Sequence, residues 1–143
     1  MEIDLDKRYQ TIVVLWFAQF MSIGLLLMVA LVAAPEVSNE SSRASKLITL
    51  ALGALGGFLV VTSFVVKRKL LERSVEQQDL NLVQKAFVVA GALCEVPAII
   101  GLIERFVIGN QDYYLLFLLA GIGMALHFPR REHLMAASFK KTL

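Results

Sequence analysis

One carboxylate interrupts an otherwise uncharged stretch of this chain: Glu95, within Ala86 to Ile103. If that stretch is a helix crossing a bilayer, Glu95 lies about ten residues inside it, which at about 1.5 Å per residue is roughly 15 Å deep, near the midplane. An ionised carboxylate at that depth costs on the order of 2.5 to 3.5 kcal/mol on insertion scales. Lipid favours the neutral acid at pH 7 unless a cation or a cluster of donors is close. Two chemistries follow: a carboxyl that takes up and releases a proton, or a protonated acid that only hydrogen-bonds between helices. Two residues further on, Pro97 has no amide hydrogen, so the carbonyl of Leu93 loses its helical donor. In lipid that carbonyl needs a replacement, from Glu95, a water, a bound cation or a neighbouring helix. Gln19, in the first apolar stretch, reaches nearly the depth of Glu95, with Ser22 one turn further along the same face. Gln19 is the expected partner of Glu95, and Glu95, Gln19 and the Leu93 carbonyl form the candidate ion-binding set.

Other chemistries find little support. Cys94 is the single cysteine, and the two histidines, His127 and His133, stand far down the chain, so neither a disulfide nor a zinc site is expected. Nothing pairs a nucleophile with a neighbouring base, cradles a phosphate or sets two carboxylates together, so a self-contained enzyme is not expected, nor is a cofactor. A net charge of +2, scattered along the chain without an aromatic platform, argues against nucleic acid. Cys94 reads as a small packing residue and Trp16 as packing. His127 reads as an exposed imidazole at the end of the fourth apolar stretch, followed by Arg130 and Arg131 as headgroup anchors.

Small residues surround the acid. Gly91, Ala92, Cys94, Ala98 and Gly101 recur at spacings of three and four, a ridge that lets another backbone come close. The second apolar stretch carries a matching stripe of Thr49, Gly53, Gly56 or Gly57, Val60 and Ser63, with Gly53 and Gly57 as a Gly-x-x-x-Gly pair. The two surfaces suit each other, or copies of themselves.

The elements that must position these residues follow from composition. With 57% hydrophobic residues, 18% charged and a mean hydropathy of +0.68 over 143 residues, the chain is not a water-soluble globule. Four apolar segments, near 11–34, 47–66, 86–103 and 113–128, are membrane-helix candidates; a core of about 30 Å asks for roughly 20 helical residues, and the fourth is the shortest. The first is too long for a signal peptide and lacks a small-x-small cleavage site. Grouped by alternate loops, 11 Lys and Arg share a side with both termini and 3 lie opposite, which places both ends in the cytoplasm. Pro35 to Ser45 is a polar external loop, with Asn39-Glu40-Ser41 matching a glycosylation triplet. The charged segment Lys67 to Lys85, free of Pro and Gly, extends the second and third helices beyond the bilayer, turning near Glu76 to Asp79. The expected architecture is all-α: a single polytopic domain over 1–143 with four transmembrane helices, in a membrane of the bacterial inner type.

The third segment also resembles a known family. Ala92-Leu93-Cys94-Glu95-Val96-Pro97-Ala98-Ile99-Ile100-Gly101-Leu102 is similar to the proton-binding helix of rotary ATPase proteolipids, the c subunits, whose pattern is A-L-x-E-x-x-A-I-Y-G-L. Ile100 stands where the family has tyrosine. The glycine-bearing second segment and the basic loop after it resemble the family's inner helix and polar loop, so the likeness spans a hairpin over 47–103. It implies a homo-oligomeric ring in which Glu95 binds a proton, since Val96 and Pro97 lack the hydroxyl of Na⁺-type members. The loop motif that grips the rotor stalk is absent, two further helices flank the hairpin, and the acid is in the third of four spans. The leading expectation is a proteolipid-like ring subunit in the lipid bilayer with a protonatable glutamate. The alternative is a structural or accessory subunit of a larger membrane complex, in which Glu95 only fixes helix packing.

Overall fold

The computed structural model describes residues 2–33, 43–109 and 111–138. The Asn39-Glu40-Ser41 triplet and the terminal Lys140 and Lys141 lie outside the described residues. Among the described residues there is no strand. Five helices follow one another: α1 (Glu2–Val32), α2 (Arg43–Gln77), α3 (Leu80–Ile103), α4 (Tyr114–Leu126) and α5 (Arg131–Ser138). A π-helical turn (Glu104–Ile108) and a 3-10 turn (Gln111–Tyr113) join α3 to α4.

α1, α2 and α3 are each long and apolar enough to cross a membrane. α4 reaches that length only when joined to α5, from which it bends by 47°. The bend has a local cause: Pro129 offers no amide hydrogen and disfavours helical geometry at the residue before it, so the helix stops at Leu126 and restarts at Arg131. The apolar part of α2 ends at Val66, and its remaining turns, with their charged residues, stand beyond it. α2 and α3 reverse direction at Gln78, whose φ of 53° is left-handed, and Asp79 caps α3 by accepting from the Asn81 amide at 2.8 Å.

Side-chain contacts set the registers. α1 runs parallel to α3: Arg8 donates to Asn81 at 3.0 Å, Gln19 donates to the Val88 carbonyl at 3.1 Å, and Ser22 stands beside Glu95. α2 runs antiparallel to α3, with Lys67 over the Phe87 ring, Ser63 beside Cys94 and Thr49 against Glu104. α3 packs against α1, α2 and α4, and α4 in turn touches all three. Two apolar clusters fill the interior. One, through Ile23, Cys94, Ala98, Phe117 and Met124, lies along the middle of the bundle. The other, through Ile12, Val83, Phe87, Leu134 and Ala137, docks α5 across the basic end. α5 thus closes that end, which hydropathy alone could not indicate because the helix is too short and too polar to register as a span.

Candidate functional site

Glu95 is half-buried, on the strip of α3 that also carries Val88, Ala92 and Ile99, each of them exposed. That strip is the side of α3 left uncovered by its neighbours, because α2 and α4 press on the opposite side through Cys94, Pro97, Ala98 and Gly101, all buried. The Ser22 hydroxyl of α1 reaches the carboxyl from one edge. Gln19 is held elsewhere: its amide nitrogen donates to the Val88 carbonyl, and its side chain lies across Gly91, where a Cβ would come 2.2 Å from Oε1. The structure therefore brings Ser22, rather than Gln19, onto Glu95. Gln19 and Glu95 do share a helix interface, one to two turns apart. Leu93 is half-buried on the turn before Pro97, and α3 continues without a break through the proline to Ile103.

The small residues divide by role. Gly101 meets Leu116, Phe117 and the Tyr113 carbonyl of the α4 segment, each 3.1 Å from where its Cβ would be, and Ala98 is fully buried. Gly91 admits α1 in the same way. On α2 it is Gly56 that faces the interior, against Leu116, Leu119 and Pro97. Gly53 and Gly57, by contrast, have open space around them. Gly53 lines a surface groove of about 570 Å³ between α2 and the start of α4, with Leu50, Asp112 and Leu115.

Two polar groupings were not singled out by sequence. Glu104 is fully buried in the π-helical turn and accepts from the Thr49 hydroxyl at 2.5 Å. Its wide turn is closed by the Gly109 amide on the Glu104 carbonyl, with Gly109 left-handed at φ 70°. The second grouping joins α2, α3 and the end of α4. His127 is 1% exposed, not an exposed boundary imidazole. Its Nδ1 lies 2.7 Å from the Gly123 carbonyl, an acceptor, so Nδ1 carries a proton. Its Nε2 is 3.1 Å from Ser63 Oγ, which also lies 3.4 Å from Cys94 Sγ and 2.6 Å from the Val60 carbonyl. Ser63 has one hydrogen to give. The Val60 carbonyl can only accept, so that hydrogen goes to it, and the Cys94 thiol is placed to donate to the Ser63 oxygen. Because Ser63 and Cys94 are sealed from solvent along with His127, the trio fastens three helices together and offers no nucleophile to a substrate. The burial of His127 arises from a contact between residues 64 apart in sequence, so neighbouring residues carry no signal of it.

Trp16 donates its indole N–H to the Met124 carbonyl at 2.9 Å and packs on Phe20 and Phe128, a packing residue as its position in the first span implies. Arg131 pairs with Asp6 and stacks over Tyr9, so of the two terminal arginines only Arg130 is directed to the surface groove described below. Comparison of the chain with family models, with curated proteins and with solved structures finds no match.

Proposed function

We propose that this chain is an integral membrane subunit that works as a homo-oligomer, with Glu95 as a protonatable carboxyl at the seam between copies. The observation that carries the reading is the position of Glu95: a carboxyl at mid-span, half-buried on an uncovered apolar strip, with Ser22 on one edge only. In lipid such a group calls for a cover, and a neighbouring copy supplies one. The strip on α3 and the groove by Gly53 are different surfaces. Two unlike surfaces that meet make a head-to-tail contact, which closes into a ring when the rotation permits. This agrees with the proteolipid-like segment around Glu95, and four crossings, counting α4 with α5 as the last, would put both chain ends on the side richer in Lys and Arg, the cytoplasmic side under the positive-inside rule.

A second reading rests on α1. Gln19 and Ser22 hold α1 against α3 beside the acid, an arrangement in which Glu95 serves as a helix-fixing donor within a larger complex. Carbodiimide labelling and a Glu95→Gln variant separate the two. Under the first reading Glu95 is modified, more slowly as pH rises, and the variant assembles normally but abolishes proton flux in reconstituted vesicles. An unreactive Glu95, or a variant that falls apart while flux is unchanged, replaces the first reading with the second.

A further inference from the structure

At the basic end of the bundle, an open groove of about 560 Å³ lies between α2 and the corner where α4 turns into α5. Its floor is apolar and faces outward: Phe64 is 39% exposed, Leu126 65% and Phe128 49%. Its rim is basic. Of the rim cations, Arg68 is neutralised by Glu72 at 2.9 Å, whereas neither Lys67 nor Arg130 is in an ion pair among the described residues. His133 adds a third nitrogen group, with Arg130 and Lys67 near enough to act on it electrostatically and with Glu132 opposing them. Lys67 and Arg130 also act on each other. Two like charges held together over an apolar floor, where the apolar part of α2 gives way to its charged part, are the complement of an amphiphile with a negative head.

We propose that this groove binds an anionic phospholipid, its phosphate held by Lys67 and Arg130 and its acyl chains laid over Phe64, Leu126 and Phe128. A guanidinium and an ammonium together suit a phosphate, the first through paired N–H donors and the second as a point charge. Basic pockets between helices on the cytoplasmic side of membranes recognise such headgroups, and the anionic lipids of that leaflet supply them. The exposed aromatic and aliphatic floor argues for a lipid over a free phosphate ion, which would use the rim and leave the floor bare.

The inference rests on the proposed membrane placement, and recovery of the chain in alkali-washed membranes tests that placement by itself. The lipid site is tested on the full chain in neutral detergent, by thermal unfolding and native mass spectrometry with phosphatidylglycerol, phosphatidylcholine and inorganic phosphate as probes. Phosphatidylglycerol should raise the unfolding temperature and remain attached, and the other two should do neither. Replacing Lys67 and Arg130 together by Ala should weaken phosphatidylglycerol binding about 30-fold, from about 1 kcal/mol for each cation. A control with Lys69→Ala and Arg73→Ala, an equal loss of charge on α2 outside the groove, should bind as the parent does. Equal effects of the two lipids, full binding by the groove variant, or a shift reproduced by phosphate alone would overturn the proposal. Unfolding temperatures of both variants in phosphatidylcholine establish that each is folded.

Discussion

A methyl group at Gly91 would come 2.2 Å from the Gln19 side-chain oxygen, the far end of a flexible side chain, so Gln19 swings away and gives up its bond to Val88. That loss, about 1 kcal/mol, is matched by the gain of about 1 kcal/mol from replacing glycine in a helix interior. Gly91→Ala alone should therefore leave stability in detergent nearly unchanged, while the same change in a Gln19→Ala background should stabilise by about 1 kcal/mol. Additive effects in thermal unfolding would remove the contact. The residue scale also marks where sequence reading reaches its limit. Counting residues along an apolar run gives depth, so Gln19, Ser22 and Glu95 were legible as near neighbours in height. It does not give direction around the helix axis, and Ser22, three residues on, points where Gln19 does not. His127 reads as a boundary residue, and Glu104, just past the third apolar segment, carries no mark in the sequence. Their burial is decided by Ser63 and Thr49, partners 64 and 55 residues away.

Among the elements, the α2–α3 hairpin was the most legible, because a charged segment without Pro or Gly gives no reason for either helix to stop at the lipid boundary. The reversal at Gln78 and Asp79 falls within the expected interval. Asp79 holds the start of α3 through the Asn81 amide, and Asp79→Ala should cost about 0.5 to 2 kcal/mol in thermal unfolding while leaving α1–α3 contacts in place. An unchanged unfolding temperature would show that the cap contributes nothing to the hairpin. The α4–α5 corner was the least legible element. The apolar run continues to Phe128, but Pro129 and the burial of His127 bend the chain, and α5 packs by Leu134 and Ala137, two of its four apolar residues.

For the molecule as a whole, the all-helical architecture and the presence of several membrane-length helices were legible from composition. The surface open to a proposed neighbouring copy was not, because a Gly-x-x-x-Gly pair does not say which side of its helix faces inward. Here Gly56 takes the interior and leaves Gly53 and Gly57 outward. Open space around both means that Leu at each should leave the folded subunit as stable as the parent while filling the surface a neighbour would use. The mass measured by light scattering in detergent should fall from that of an oligomer to that of a single chain. An unchanged mass would remove this surface from the assembly. The parallel pairing of α1 with α3 also bears on biogenesis. Gln19 is bonded to a carbonyl 69 residues later in the chain, and at roughly 5 to 20 residues per second of synthesis that partner emerges several seconds after Gln19. During that interval the nascent first helix carries the Gln19 amide with its eventual acceptor still unmade, so the translating ribosome sets how long this polar side chain must be sheltered before its own fold can shelter it.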